Sequence, residues 1–286
     1  MKAQTILKLA HFTRRFNRLQ NPLAYRLAKK LLKHAYPKPG RPPFKCVIAY
    51  DQGLINVDTN LLQEYYILFF GVYEPYIASL IKTVVKPGDL CIDIGANIGG
   101  LSLIMSFATG SKGKVIAVEP HPNIVQRLQA NLELNRIENC QVLQTAISNQ
   151  EGNTDFYIAK ATDHHQGKSS LQQSSALTES ISIQSIRGKD LLQEIGTRNC
   201  SFIKVDVEGH DLIVLQELEE IIKSHRPHIV FEYNHKSWLK QGCDLHQALS
   251  FFKEQAYTLY SLKNGLLRPL AEPYAESCDF FCVPKQ

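Results

Sequence analysis

The 286-residue chain is 44% hydrophobic and 21% charged, ordinary values for a globular protein, and its length suits one large α/β domain with an appendage or two small ones. Its net charge of +5 is uneven: residues 1–50 carry 12 Lys/Arg and no Asp/Glu, leaving 20 basic against 27 acidic residues in the remainder. No apolar run approaches the ~20 residues of a membrane helix, Met1 to Phe16 is too interrupted by charge for a signal peptide, and no motif for nucleic acid accompanies the basic segment, so nucleic acid is not an expected partner.

In chain order, residues 1–45 read as a basic helical appendage. Leu19, Leu23, Leu27 and Leu31 recur at helical spacing among Arg18, Arg26, Lys29, Lys30 and Lys33. The proline-rich run Pro37 to Pro43 ends any helix. Such a segment is either a solvated helical surface or a peripheral contact for an anionic membrane. Residues 46–286 form the second unit. Residues 44–70 are expected to hold short strands, and Pro75–Val85 a helix. An α/β alternation then begins: strand Leu90–Ile94, helix Leu101–Phe107, strand Val115–Glu119, helix Pro122–Asn135 and strand Gln141–Ile147. Phe156–Ile158 and Ile181–Ile183 are further strands, flanking a long polar excursion, Ala161–Glu179, that contains His164, His165, Ser169 and Ser170. The rhythm resumes with strand Phe202–Asp206, helix His210–Lys223, strand Ile229–Glu232 and helix Leu245–Gln255. Tyr257–Leu262 and Asp279–Val283 close the chain as antiparallel neighbours, because no helix connects them. The expected fold is a doubly wound, Rossmann-like α/β sheet with an antiparallel C-terminal strand pair and an N-terminal helical appendage.

The seven cysteines are odd in number and widely spaced. Cys278 and Cys282 are the one close pair, and no second pair completes a zinc site, so no metal site is expected from them. They read as reduced, buried thiols of a cytoplasmic protein.

The central signal is Asp93-Ile94-Gly95-Ala96-Asn97-Ile98-Gly99-Gly100, directly after a strand and opening a helix. Glycine lets the backbone turn sharply and lets a ligand approach, and this strand-to-helix turn is where nucleotides bind in open α/β sheets. Glu119 ends the next strand, 20 residues after Gly99, where a carboxylate can accept both hydroxyls of a ribose. Asn97 occupies the place where a dinucleotide fingerprint wants glycine. A ligand with a free amino-acid moiety fits better: Asp93 can meet an ammonium, and helix N-terminal amides a carboxylate.

Asp-Ile-Gly-Ala-Asn-Ile-Gly followed by Val-Glu-Pro resembles the signature of the FkbM family of methyltransferases. Gly71-Val72-Tyr73-Glu74-Pro75, Ile203-Lys204-Val205-Asp206-Val207-Glu208-Gly209-His210 and Pro227 to Glu232 are similar to further segments of that family, so the resemblance spans roughly residues 70–235. It implies a class I methyltransferase fold and S-adenosyl-L-methionine as methyl donor. Asp93, Gly95, Asn97 and Gly99 would line the methionine end, Glu119 would hold the ribose, and Ala146 would stand near the adenine. Glu74 either caps the site or is an exposed carboxylate at a helix start. The resemblance also supplies the acceptor class, a hydroxyl on a sugar, glycolipid or secondary metabolite.

An alcohol acceptor needs its proton removed by a base within reach. Asp206, Glu208 and His210 lie just past the fourth strand of the alternation, at the ligand-binding edge. Asp206 or His210 could be the base, and Asp206 with Glu208 could instead hold a divalent cation, or the cluster could only brace its loops. Lys204, inside a strand, reads as an ion-pair partner. Glu232 reads as a substrate contact or its support. Two other functions stay open: a nicotinamide-dependent oxidoreductase, and a catalytically silent binding scaffold.

Overall fold

The computed structural model describes residues 29, 30, 32, 45–158, 169–171, 179–263, 266–270 and 277–285. Most of the appendage, with its leucine repeat, lies outside them, as do His164 and His165. Leu32 is buried in the body's core, and the Lys29 ammonium sits 5.4 Å from the centre of the Tyr66 ring. Among the described residues no single helix is long and apolar enough to cross a membrane.

The main domain opens with a hairpin, β1 (Lys45–Tyr50) against β2 (Gly53–Asp58). Helix α1 (Leu62–Phe70) follows, in a stretch read as mixed with short strands and not as a helix. Its run Tyr65-Tyr66-Ile67-Leu68-Phe69-Phe70 is apolar on nearly every side, so periodicity cannot separate helix from strand there. Gly71, at φ 71°, ends it by donating its N–H to the Ile67 carbonyl. The helix is tied down by Glu64, buried, which takes a bidentate pair from Arg127 at 2.7 and 2.6 Å. Helix α2 (Pro75–Val84) then leads into the alternation β3 (Leu90–Ile94), α3 (Gly100–Thr109), β4 (Lys114–Val118), α4 (Pro122–Leu134) and β5 (Cys140–Leu143).

The expected strand Gln141–Ile147 is two strands. Thr145 turns back, its N–H on the Leu143 carbonyl and its hydroxyl on the Gln184 carbonyl, and β6 (Ala146–Ile147) joins a separate sheet. That sheet, in the order β6-β9-β7-β8, is made with β7 (Gly152–Ile158), β8 (Ser169–Ser170) and β9 (Glu179–Ile186). The short helix α5 (Leu191–Ile195) returns the chain to the main sheet through β10 (Cys200–Val205). The helix expected over 210–223 is broken at Leu218 into α6 (Asp211–Glu217) and α7 (Glu219–His225). Gly188 packs against the end of α6 so closely that a Cβ would lie 2.0 Å from the Glu217 carbonyl, and Arg187 grips the Glu217 carboxylate at 2.7 and 2.9 Å. The chain finishes with β11 (His228–Tyr233), α8 (His235–Lys240), α9 (Leu245–Glu254), β12 (Tyr257–Lys263), β13 (Leu266–Pro269) and β14 (Cys278–Pro284).

The eight main strands run β13-β12-β14-β11-β10-β3-β4-β5. Strands β11, β10, β3, β4 and β5 are mutually parallel, and β14 is antiparallel to both β11 and β12. Alternate residues feed two cores. Leu90, Ile92 and Ile94 join one and Cys91 the other, so the sheet is covered on both faces as a doubly wound fold requires. The chain leaves β3 toward β4 and β5, then crosses back to β10 on β3's other side. That reversal is the switch point at which open α/β sheets bind ligands, and both expected signatures sit at its carboxyl edge. All seven cysteines are unbridged, with Cys91, Cys200 and Cys282 buried.

Candidate active site

The turn after β3 is built for close approach. Gly95 has φ +76°, and a Cβ there would stand 1.9 Å from the Asp206 carbonyl oxygen, so only glycine lets the β3 and β10 loops meet. Asn97, at φ 51°, is one of the few side chains that tolerate the left-handed region. Its side-chain oxygen accepts the Ile98 N–H at 2.8 Å. Gly99, at φ +85°, opens α3 with Leu128 packed at its back.

Glu119 follows β4 and is 6% exposed. Its two oxygens accept one backbone N–H each, from Asn97 and His121, both at 3.0 Å. Burial pushes its carboxyl up to about 7 against the pull of those two donors and of Lys204. Each oxygen keeps a second lone pair.

The second signature forms an equally tight turn after β10. Glu208 (φ 53°) and Gly209 (φ +106°) are both left-handed. Asp211 braces the turn: fully buried, it accepts the N–H of Val207 and that of Gly209, each at 3.0 Å, and the Trp238 indole N–H at 3.4 Å. Burial, then the Asp206 charge, push Asp211 up to about 7. Below the turn, Lys204 lies opposite Asp93 across β10 and β3. Its ammonium donates to the Gly95 carbonyl at 2.9 Å and lies 3.4 Å from Asp93 and 3.6 Å from Asp206. Burial alone would lower its pKa, but Asp206, Asp93 and Glu74 together raise it, so it stays charged. The ion-pair reading of Lys204 therefore holds.

Between the two turns lies a cleft that encloses, together with the solvent at its mouth, about 680 Å³. Gly95, Asn97, Glu119, Ala146, Asp206, Glu208 and His210 all line it. Asp93, Gly99 and Glu74 stand one layer back: Asp93 is wholly buried, with Ser102 donating to it at 2.6 Å, and Glu74 begins α2 in a left-handed conformation. Burial, then Asp279 and Asp206, push the Glu74 carboxyl well up. Asp279 is pushed to about 7 and Glu232 to about 10 by burial first and then by neighbouring carboxylates, so this back layer is an acid cluster that resists full ionisation. Among the described residues no three His, Cys, Asp or Glu side chains converge as metal ligands.

Sequence reasoning placed Ala146 of the second sheet at the site but missed Thr145 and Phe156 beside it. Thr145, Phe156 and Leu171 line the cavity opposite the turns, and the Ser170 hydroxyl donates to the Glu208 carbonyl at 3.3 Å, joining that sheet to the β10 turn. It also missed Tyr73, which lines the wall and whose N–H donates to the Tyr50 hydroxyl. Tyr73 lies in a quoted motif and was passed over for its neighbour Glu74. An adjoining cavity of about 350 Å³ shares the walls at Gln63, Tyr73, Gly95 and Asn97 and reaches Lys204.

A parallel sheet extended at one edge by antiparallel strands, with a glycine turn, an acid after the next strand and a carboxylate at the switch point, is the architecture of the class I methyltransferases that use S-adenosylmethionine. Residues 93–259 match the model of the methyltransferase FkbM domain; the chain belongs to the FkbM methyltransferase family. It is 28% identical over 152 residues to the hexuronic acid methyltransferase AglP of Haloferax volcanii. That match covers 53% of this chain and 59% of the relative. Among solved structures, it is similar to methyltransferase FkbM from Methylobacillus flagellatus, at 18% identity and TM-score 0.41 over 78% of this chain and 53% of that one. It is also similar to a SAM-dependent O-methyltransferase from Thermotoga maritima, at 16% identity and TM-score 0.40 over 75% and 67%.

Proposed function

We propose that the chain transfers a methyl group to a hydroxyl oxygen, and that the hydroxyl belongs to a sugar. The observation that carries the reading is Asp206. Its carboxylate lines the cavity, is 23% exposed, and stands beside the glycine turn that receives the cofactor in such folds. The AglP relationship supports a sugar acceptor.

The residues present fit S-adenosylmethionine. Glu119 keeps a free lone pair on each oxygen for the ribose hydroxyls, the Gly95 turn leaves no Cβ in the way, and Ala146, Phe156 and Leu171 give an apolar wall for the adenine. When bound, the cofactor supplies a methyl group activated by sulfonium charge. Asp206 would accept the acceptor's hydroxyl proton, with the Lys204 ammonium 3.6 Å from its carboxylate. Holding both partners in one cavity provides much of the rate.

The test is turnover with methyl-labelled cofactor and a panel of methyl glycosides bearing neutral, carboxylate or amino substituents. A base-stable methyl ether, lost in Asp206→Asn with cofactor binding intact, is expected. A base-labile methyl ester would replace the hydroxyl with a carboxylate acceptor. Cofactor binding without turnover of any glycoside would favour the silent scaffold.

A further inference from the structure

His210 lines the cavity, is 8% exposed, and its Nε2 has no hydrogen-bond partner. The other ring nitrogen is not free. Gln241, which follows α8, places its side-chain nitrogen 3.2 Å from His210 Nδ1 and 3.3 Å from the Gly209 carbonyl oxygen. A backbone carbonyl can only accept, so the atom facing it must be the amide NH2 rather than the amide oxygen. The second hydrogen of that NH2 then points at Nδ1, which must offer a lone pair. In a neutral imidazole one nitrogen carries the proton when the other does not. The proton is therefore on Nε2, the unpartnered nitrogen of a side chain that lines the cavity.

We propose that His210 is a hydrogen-bond donor to the acceptor substrate and not the base, and that Gln241 is the positioning residue that fixes its tautomer. The inference rests on the acceptor reading above and deepens it: the cavity offers an oxygen acceptor an N–H donor, from His210, and a proton acceptor, the Asp206 carboxylate. That pair matches an alcohol oxygen, which donates one proton and accepts at its lone pairs. An amine acceptor in its reactive form would have its single lone pair directed at the methyl group, leaving the His210 N–H unmatched.

The tautomer can be read without any substrate. In the full chain labelled with 15N-histidine, two-bond 1H–15N correlations distinguish protonated from bare ring nitrogens, and the His210 signals are those lost in His210→Asn. The expected pattern is a bare Nδ1 and a protonated Nε2. Gln241→Glu replaces the donor with an acceptor and should invert the pattern. A protonated Nδ1 in the parent, rapid exchange between tautomers, or no change in Gln241→Glu would overturn the proposal. With an acceptor from the glycoside panel, His210→Gln keeps an N–H near the Nε2 position but cannot act as a base. It should hold kcat/KM within about tenfold of the parent, the scale of one hydrogen bond, while His210→Ala falls further, mainly in KM. A His210→Gln protein as inactive as His210→Ala, with cofactor binding unchanged, would make His210 the base. Failure to methylate any glycoside would instead strike at the acceptor reading and leave the spectra to decide the tautomer.

Discussion

Cofactor affinity should depend on the ionisation of Glu119. Each of its oxygens already accepts a backbone N–H, so one lone pair per oxygen remains for a ribose hydroxyl. Protonation puts an O–H on one of those lone pairs and removes an acceptor. With the carboxyl near 7 in the ligand-free protein, about one site in ten is ionised at about pH 6, and binding should weaken about tenfold there relative to pH 8, or ~1.4 kcal/mol. Glu119→Gln has no such step, and should bind more weakly at high pH by about 2 kcal/mol, the scale of a lost charge-assisted hydrogen bond. The assay is calorimetric titration with S-adenosylhomocysteine across that range. The ligand's own α-amino group titrates near the upper end but cancels in the ratio of parent to variant. A parent affinity that is flat with pH, or a variant with the same slope, would refute the argument. The same raised carboxyl acts on folding with the opposite sign to a salt-bridged acid. Its stability contribution is fully present below the unfolded value of 4.5 and is lost as pH rises through about 7, by roughly 3 kcal/mol.

Gly95→Ala should lower the melting temperature by several degrees and abolish cofactor binding: the left-handed φ alone costs ~1–2 kcal/mol, and the new Cβ would meet the Asp206 carbonyl. Lys204→Met leaves Asp93 wholly buried without its counter-charge, and urea denaturation should show a loss of about 3–5 kcal/mol. Asp211→Asn offers one oxygen where two backbone N–H groups need acceptors. Thermal unfolding above about pH 8, where the parent carboxyl is ionised, should show a loss of ~2 kcal/mol.

The sequence made the parallel strands legible because each is a short apolar run between turn residues, and β3, at Leu90–Ile94, lies where its pattern placed it. The glycine turn and Glu119 were legible because their chemistry is local: a conformation only glycine adopts and an acid at a strand end. Helix α1 was not legible, because an apolar run buried on most sides carries no period. The second sheet was half legible. Phe156 and Ile183 reveal strands, but nothing in them says that β6 leaves the main sheet to pair with β9. Gln241 carries no local signal at all. It lies 31 positions from His210, and only the docking of α8 against the β10 turn brings its amide to the imidazole.

Strain and buried charge gather at one edge of the sheet for a shared reason. Gly95, Asn97, Gly99, Glu208 and Gly209 all adopt positive φ within the two turns that face each other across the switch point. Left-handed residues stop a strand abruptly and present backbone amides to the space beyond it, which is what a polar ligand needs. Such turns do not hold themselves, so each is braced by a buried acid that accepts its amides: Glu119 receives the Asn97 N–H, and Asp211 those of Val207 and Gly209. Burying acids raises their pKa, as at Glu119 and Asp211, and the Lys204 ammonium stands between Asp93 and Asp206, bonded to the Gly95 carbonyl. Lys204 thus links the two turns electrostatically and through the backbone, so its removal should loosen both turns together.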